Sequence, residues 1–169
     1  EGFFRGAREF GSRIAGRREY DRGILLDMVG DRDLTFYVEG YSLQAAPELV
    51  DWVWRAGRAV APDFFAEQVG YYVQDDHLPL LAAGIPIIDL IDFHYAHWHT
   101  MADTPDKVSA ASLQVTGDVL VRLDTSDPHA FGALVRPDSY MEMRWLQHEA
   151  MREVPRIHEN LENDWWRLF

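Results

Sequence analysis

QDDHLPLLAAGIPIIDLI, residues 74–91, holds a helix and a strand with almost nothing between them. Asp75 can offer a side-chain oxygen to the open N–H groups of a helix start. Pro79 is tolerated in the first turn, and Gly84 suits the end. The run IPIIDLI, 85–91, is then apolar almost throughout, as expected of a parallel-sheet strand covered on both faces. A short helix feeding a strand of this kind predicts an α/β architecture.

Working outward, the flanking segments keep the same alternation. GILLDMVG, 23–30, is a glycine-bounded apolar run and reads as a buried strand, and LTFYVEG, 34–40, as a second extended segment. A helix is predicted over about 43–58, with Leu43, Ala46, Leu49, Val50, Val53 and Trp54 on one face. APDFFAEQVGYYV, 61–73, reads as irregular. In DTPDKVSAASLQVTGDVLVRL, 103–123, Thr104 is placed to cap a helix that Pro105 opens. Val108, Ser112, Val115, Val119 and Leu123 form its stripe. Residues 8–18 suggest a short helix, basic at its end. Beyond Leu123 the character changes to a turn-rich linker, TSDPHAFGALVRPDS, and then a helix rich in Met and charge. The division is therefore 1–123 for the main domain and 124–169 for a linker with a helical extension.

The whole-chain balance narrows the function classes. Sixteen Lys+Arg against 28 Asp+Glu give a net charge of −12, which repels phosphate backbones and argues against a nucleic-acid partner. No apolar run approaches the ~20 residues of a membrane span. With no cysteine, disulfides and thiolate metal sites are excluded, so any metal must be held by His and carboxylates. The chain opens at Glu1 without an initiator Met or a signal-like segment, which reads as a processed chain or a piece of a longer one. There is no P-loop and no glycine-rich dinucleotide fingerprint. Gly40–Ser42 lacks the second glycine of a nucleophile elbow, and His148-Glu149 lacks the second histidine of a zincin helix because position 152 is Arg.

Polar residues inside apolar strands are the informative ones, because an unpaired buried carboxylate is costly. Asp27 interrupts GILLDMV near a strand's carboxyl end, where open α/β sheets place their ligands. Facing a metal there and pairing with a turn or an arginine remain equal alternatives for it. Asp89 and Asp92 interrupt the 85–91 strand and its exit, and Asp89, mid-strand, reads as structural. Asp75, Asp76 and His77 crowd one helix start where capping needs only one of them. FHYAHWHT, 93–100, adds three histidines at 94, 97 and 99, raw material for a zinc site or an exposed polar rim.

Three segments in order, LLDMVGD (25–31), QDDHLPLLAAGIPIIDLI (74–91) and WHTMADTPDKVS (98–109), resemble the C-terminal half of the catalytic domain of the zinc aminopeptidase and glutaminyl cyclase family. These are the co-catalytic zinc exopeptidases. The resemblance covers about residues 1–123, and GSR at 11–13 also matches. It implies a three-layer α/β sandwich around a mostly parallel mixed sheet, the phosphorylase/hydrolase-like exopeptidase fold in part. It also implies one or two zinc ions per complete domain. By resemblance His99 is the last zinc ligand. Asp27 is a ligand of the second zinc in the aminopeptidases and a hydrogen-bonding carboxylate beside the metal in the cyclases. Asp75 is a catalytic carboxylate networked with the catalytic Glu, Trp98 lines the substrate pocket, and Asp76 and His77 support them from behind. Glu1 falls near the family's adjacent acidic pair and is expected to be either the base or a ligand, while the first histidine and the bridging aspartate precede it.

The leading expectation is a zinc metallopeptidase that removes N-terminal residues from peptides with a free N-terminus. Asp75 and Trp98 favour glutaminyl-peptide cyclisation as the alternative. A zinc-free binding domain of the same fold is the third reading. The resemblance also suggests a secreted or periplasmic protein, and it leaves the oligomeric state open.

Overall fold

The computed structural model describes residues 3–17, 20–126 and 132–135, and side chains as far as Leu123. In chain order the elements are α1 (Arg5–Ile14), β1 (Gly23–Asp27), β2 (Phe36–Glu39), α2 (Gly40–Ala45), α3 (Pro47–Val60), β3 (Phe65–Tyr71), α4 (His77–Ala82), β4 (Ile87–Ile91), α5 (Ala110–Ser126) and β5 (Gly132–Val135). β1 lies between β4 and β5, parallel to both, and β2 pairs in parallel with β3. The β2–β3 pair is tied to the end of β4. The Thr35 N–H donates to Asp92 Oδ2 at 3.0 Å, and the Tyr71 hydroxyl donates to the Ile91 carbonyl.

Strand periodicity explains the layers. Ile24 and Leu26 of β1 and Ile88 and Leu90 of β4 share one face. There they join Val50, Val53 and Trp54 of α3 and Val119 and Leu123 of α5 in a single core. Leu25 and Ile87 point the other way, into a smaller cluster with Ala7 of α1 and Leu80 of α4. Helices on both faces of a parallel sheet require strands buried on both sides, and every residue of β1 and β4 is buried. Each such Leu or Ile side chain contributes roughly 1.5–3 kcal/mol relative to exposure. The three-layer α/β reading is what the structure has.

Several expectations change. The helix expected over 43–58 is two helices, because Pro47 has no N–H to donate and disfavours helical backbone at Ala46. The Ala46 N–H closes α2 on the Ser42 carbonyl at 2.8 Å. The Ala46 carbonyl then receives Leu49 and Val50 of α3, each at 3.1 Å. Leu43, expected on the buried face, is exposed. The stretch read as irregular contains β3, whose centre, Glu67–Gly70, is solvent-exposed and so shows no apolar alternation. β5 arises from the stretch read as linker, and the helix expected after it lies outside the described residues. Thr104 precedes a single 3-10 turn, Pro105–Lys107, and α5 begins at Ala110.

The end of α4 follows its sequence closely. Gly84 takes a φ of 89°, its N–H returns to the Leu81 carbonyl at 2.9 Å, and that of Ile85 reaches Leu80 at 3.1 Å. This pair of bonds is a Schellman ending, and Leu80 and Ile85 share the apolar contact that accompanies it. α1 packs on this helix through Gly11. A Cβ there would come within 3.2 Å of the Ala83 side chain. Among the described residues no helix is long and apolar enough to cross a membrane.

Candidate active site

The parallel register brings the ends of β1 and β4 together, with Asp27 opposite Ile91. Asp27 is buried, and the next residue, Met28, has a φ of 51°. The chain leaving β1 is stitched to the start of α5: the Ser109 N–H donates to the Gly30 carbonyl at 2.8 Å and the Arg32 N–H to that of Lys107 at 3.0 Å. Asp92, just past β4, accepts the N–H groups of Thr35 at 3.0 Å and His94 at 3.2 Å. Burial pushes its carboxyl above the ordinary carboxylate range, and the two N–H donors only partly oppose this.

The histidine loop begins here. Trp98 and His99 stack with ring centres 4.1 Å apart and planes 18° from parallel, and Phe93 meets the Trp98 ring edge-on at 5.0 Å. His94 packs edge-on against Tyr37 at 4.7 Å and Tyr71 at 5.3 Å, and His97 against Tyr95 at 5.4 Å. The three histidines therefore differ: two pack against tyrosines, and His99 is paired with an indole. His99 has a φ of 55°. Among the described non-glycine residues positive φ occurs only at Phe4, Met28 and His99. Such backbone is unfavourable outside glycine, and it gathers where function constrains the chain. Two of the three positions adjoin or are expected ligands.

Asp75 and Asp76 lie four and five residues beyond Tyr71, whose hydroxyl is anchored on β4. Asp75 Oδ1 accepts the Asp76 N–H at 2.6 Å, and its carbonyl accepts the Leu78 N–H at 3.0 Å. The helix begins at His77, with Asp76 rather than Asp75 in the cap position, and the buried Asp76 side chain makes no capping bond. The carboxylate of Asp75 thus belongs to the loop ahead of α4, not to the helix.

His77 is fully buried. Its Nε2 lies 3.3 Å from Glu39 Oε2 and its Nδ1 3.6 Å from Asp89 Oδ2. Asp89 has the parity of Leu25 and Ile87, so it faces the α4 layer. Glu39 also accepts the N–H groups of Tyr41 (3.0 Å), Ser42 (2.6 Å) and Val73 (3.1 Å), and the Ser42 hydroxyl at 2.7 Å. Ser42 Oγ in turn accepts the Asp89 N–H at 2.9 Å. Burial raises the Glu39 pKa, but His77 and these donors outweigh it and hold the carboxyl at about 2. Glu39 and Ser42 were missed as site-forming residues. The signal was present, since Glu39 closes the apolar strand FYVE much as Asp27 closes GILLD.

Glu1, expected as base or ligand, lies outside the described residues. Among the described residues no three His, Cys, Asp or Glu side chains converge in a way that could hold a metal ion. His99 and Asp27 have the donor chemistry zinc prefers, but two ligands fall short of the three or four that protein zinc sites use.

The model of Peptidase family M28 matches residues 1–123 of this chain. The chain belongs to peptidase family M28. Its similarity to a glutaminyl-peptide cyclotransferase of Boiga dendrophila is 29% identity over 112 residues, covering 59% of this chain and 30% of that protein. Among solved structures, Fimbriiglobus ruber glutaminyl cyclase superposes with a TM-score of 0.68 at 36% identity, covering 72% of this chain and 43% of its own. A leucine aminopeptidase precursor of Bacteroides thetaiotaomicron gives 0.66 at 30% identity, covering 70% and 42%. A Zn-dependent exopeptidase of Parabacteroides distasonis gives 0.63 at 29%, covering 71% and 44%. The chain spans less than half the length of each of these relatives.

Proposed function

We propose that this chain is the part of an M28 enzyme that lines the substrate side of a glutaminyl-peptide cyclase. The observation that carries the reading is the stack of Trp98 on His99. Hydrolysis needs a water delivered to the carbonyl, whereas cyclisation needs water kept away while the substrate's own amine attacks. An indole laid flat against the expected ligand suits the second requirement. The similarity to glutaminyl cyclases supports this ordering, which reverses the one that sequence alone favoured.

A zinc ion, held by His99 with Asp27 beside it or on it, would polarise the substrate's γ-carboxamide oxygen. The chain's own residues supply the rest. In the reaction the α-amine nitrogen bonds to the side-chain amide carbon, the C–N bond of that amide breaks, and ammonia leaves a five-membered lactam. The neutral α-amine attacks; Asp75 accepts a proton from that nitrogen as it bonds to the carbon and returns it to the departing nitrogen, so its protonation is restored each turn. Trp98 packs against the substrate side chain and excludes water. A carboxylate-lined site also attracts the free amino terminus of the peptide.

Removal of N-terminal residues by a family aminopeptidase is the second reading, favoured by the similarity to the leucine aminopeptidase precursor. Incubating the full-length protein with a Gln-initiated peptide separates the two. Ammonia release with an amine-blocked peptide product is expected, and release of free glutamine would overturn cyclisation. Zinc far below one equivalent with neither product would leave the zinc-free binding domain.

A further inference from the structure

We infer that Glu39 is a positioning residue for the Asp75 loop, acting with His77 as a buried polar clamp. Four separate pieces of backbone meet at this one carboxylate. It ends β2, receives the first N–H groups of α2 at Tyr41 and Ser42, and holds Val73 at 3.1 Å. Through Oε2 it faces the imidazole of the first residue of α4 at 3.3 Å. Val73 and His77 bracket Asp75 by two residues on each side. The loop bearing Asp75 is therefore pinned at both ends to one rigid acceptor.

A plain helix cap does not account for this arrangement. Capping α2 requires only the bonds to Tyr41 and Ser42, and a short Ser, Asp or Asn serves that purpose at the surface. Here the cap is a Glu that is 1% exposed, and two carboxylates flank a histidine that is 0% exposed. One carboxylate oxygen faces each ring nitrogen, Glu39 Oε2 at Nε2 and Asp89 Oδ2 at Nδ1. Desolvating three such groups is expensive, and an apolar cluster of the same volume would be as stable or more so. What the polar cluster adds is direction. Glu39 is held by Ser42 and by two further N–H groups, so the imidazole has one place to sit. Asp89, whose N–H is anchored on Ser42 Oγ, faces the other ring nitrogen with Oδ2 at 3.6 Å. Gly40 belongs to the same device. A Cβ there would lie 2.3 Å from the Tyr72 ring, so the chain beside Glu39 packs directly on the residue preceding Val73.

That Asp75 acts in turnover rests on the function proposed above, whereas the clamp does not. The full-length protein and its Glu39→Gln variant, which keeps the shape and removes the charge, are compared by amide hydrogen exchange and by steady-state kinetics. In the variant, amides 73–78 are expected to exchange about tenfold faster while β4 amides are unchanged, a local rather than global opening. Zinc content and KM should stay near wild type, with kcat for a Gln-initiated peptide falling by about 10²-fold, the loss typical of a misplaced group. A folded variant with unchanged exchange over 73–78 overturns the clamp, whereas faster exchange with wild-type kcat overturns only the part of Asp75 in turnover. If Glu39→Gln does not fold, His77→Gln removes one arm and leaves the cap, and unchanged exchange over 73–78 is again fatal. A wild-type protein that forms no lactam refutes the cyclase reading alone, because the exchange measurement still judges the clamp.

Discussion

Histidine occurs in two very different settings in this molecule. His94, His97 and His99 crowd six residues of a loop beyond β4, where His94 and His99 are exposed and aromatic rings are their neighbours. His77 stands apart in sequence and is sealed between Glu39 and Asp89. The dense cluster attracts attention in a sequence, yet two of its members pack against tyrosines and one against an indole. The isolated histidine lies beside a carboxylate, Glu39, that itself accepts four hydrogen bonds. Density along the chain marks a loop, and burial beside carboxylates marks a constraint.

Substitutions can break this contrast. The largest effect is expected for His99→Ala in the full-length protein. Losing a ligand should cost more zinc affinity than the roughly 10–100-fold lost with an outer partner, read by titration against a competing chelator. Retention of wild-type affinity would remove His99 from the metal site. Next comes His77→Leu, which leaves two buried carboxylates facing an apolar side chain. Denaturant unfolding should show a loss of about 3–5 kcal/mol.

The acid limb of stability probes the same cluster without mutation. Glu39 is lowered from 4.5 to about 2, so its stabilisation is complete above its unfolded value and is lost as pH falls from about 4.5 to about 2. The loss should be on the order of 3 kcal/mol and should shrink in Glu39→Gln. Asp92 works in the opposite sense. Its raised carboxyl costs stability once pH rises through its folded value, so acid relieves that cost and blunts the slope. The smallest effect belongs to His94→Ala and His97→Ala. Each should change stability by roughly 0.5 kcal/mol or less and leave zinc binding intact, as expected for surface positions. A large loss at either would erase the distinction between rim and ligand.

The legible parts of the fold are those where one physical demand acts on consecutive residues. β1 and β4 are buried on both faces, so their sequences are apolar without interruption except at Asp27 and Asp89. The ending of α4 is readable because Gly84 is the residue that accepts left-handed backbone cheaply. β3 was not readable, because its centre faces solvent and the sequence there obeys no period. The break at Ala46 was legible in principle through Pro47, but the apolar spacing continued across it and suggested one helix. At the site, Asp27, Asp75, Trp98 and His99 were picked out by motif, while Glu39 and Ser42 were passed over.

By itself the sequence determined the α/β class, the buried strands β1 and β4, the family and the short set of residues that motif and strand position single out. Those depend on local periodicity, turn chemistry and residue type, all of which can be read along the chain. Tertiary structure alone decided that Asp89 faces α4, that His77 lies between two carboxylates, and that Glu39 gathers β2, α2 and α4 onto one side chain. These contacts join residues 39, 42, 77 and 89, and nothing in their spacing encodes a distance. They follow from strand parity and from the packing of helices on both faces of the sheet, which exist only once the chain has folded.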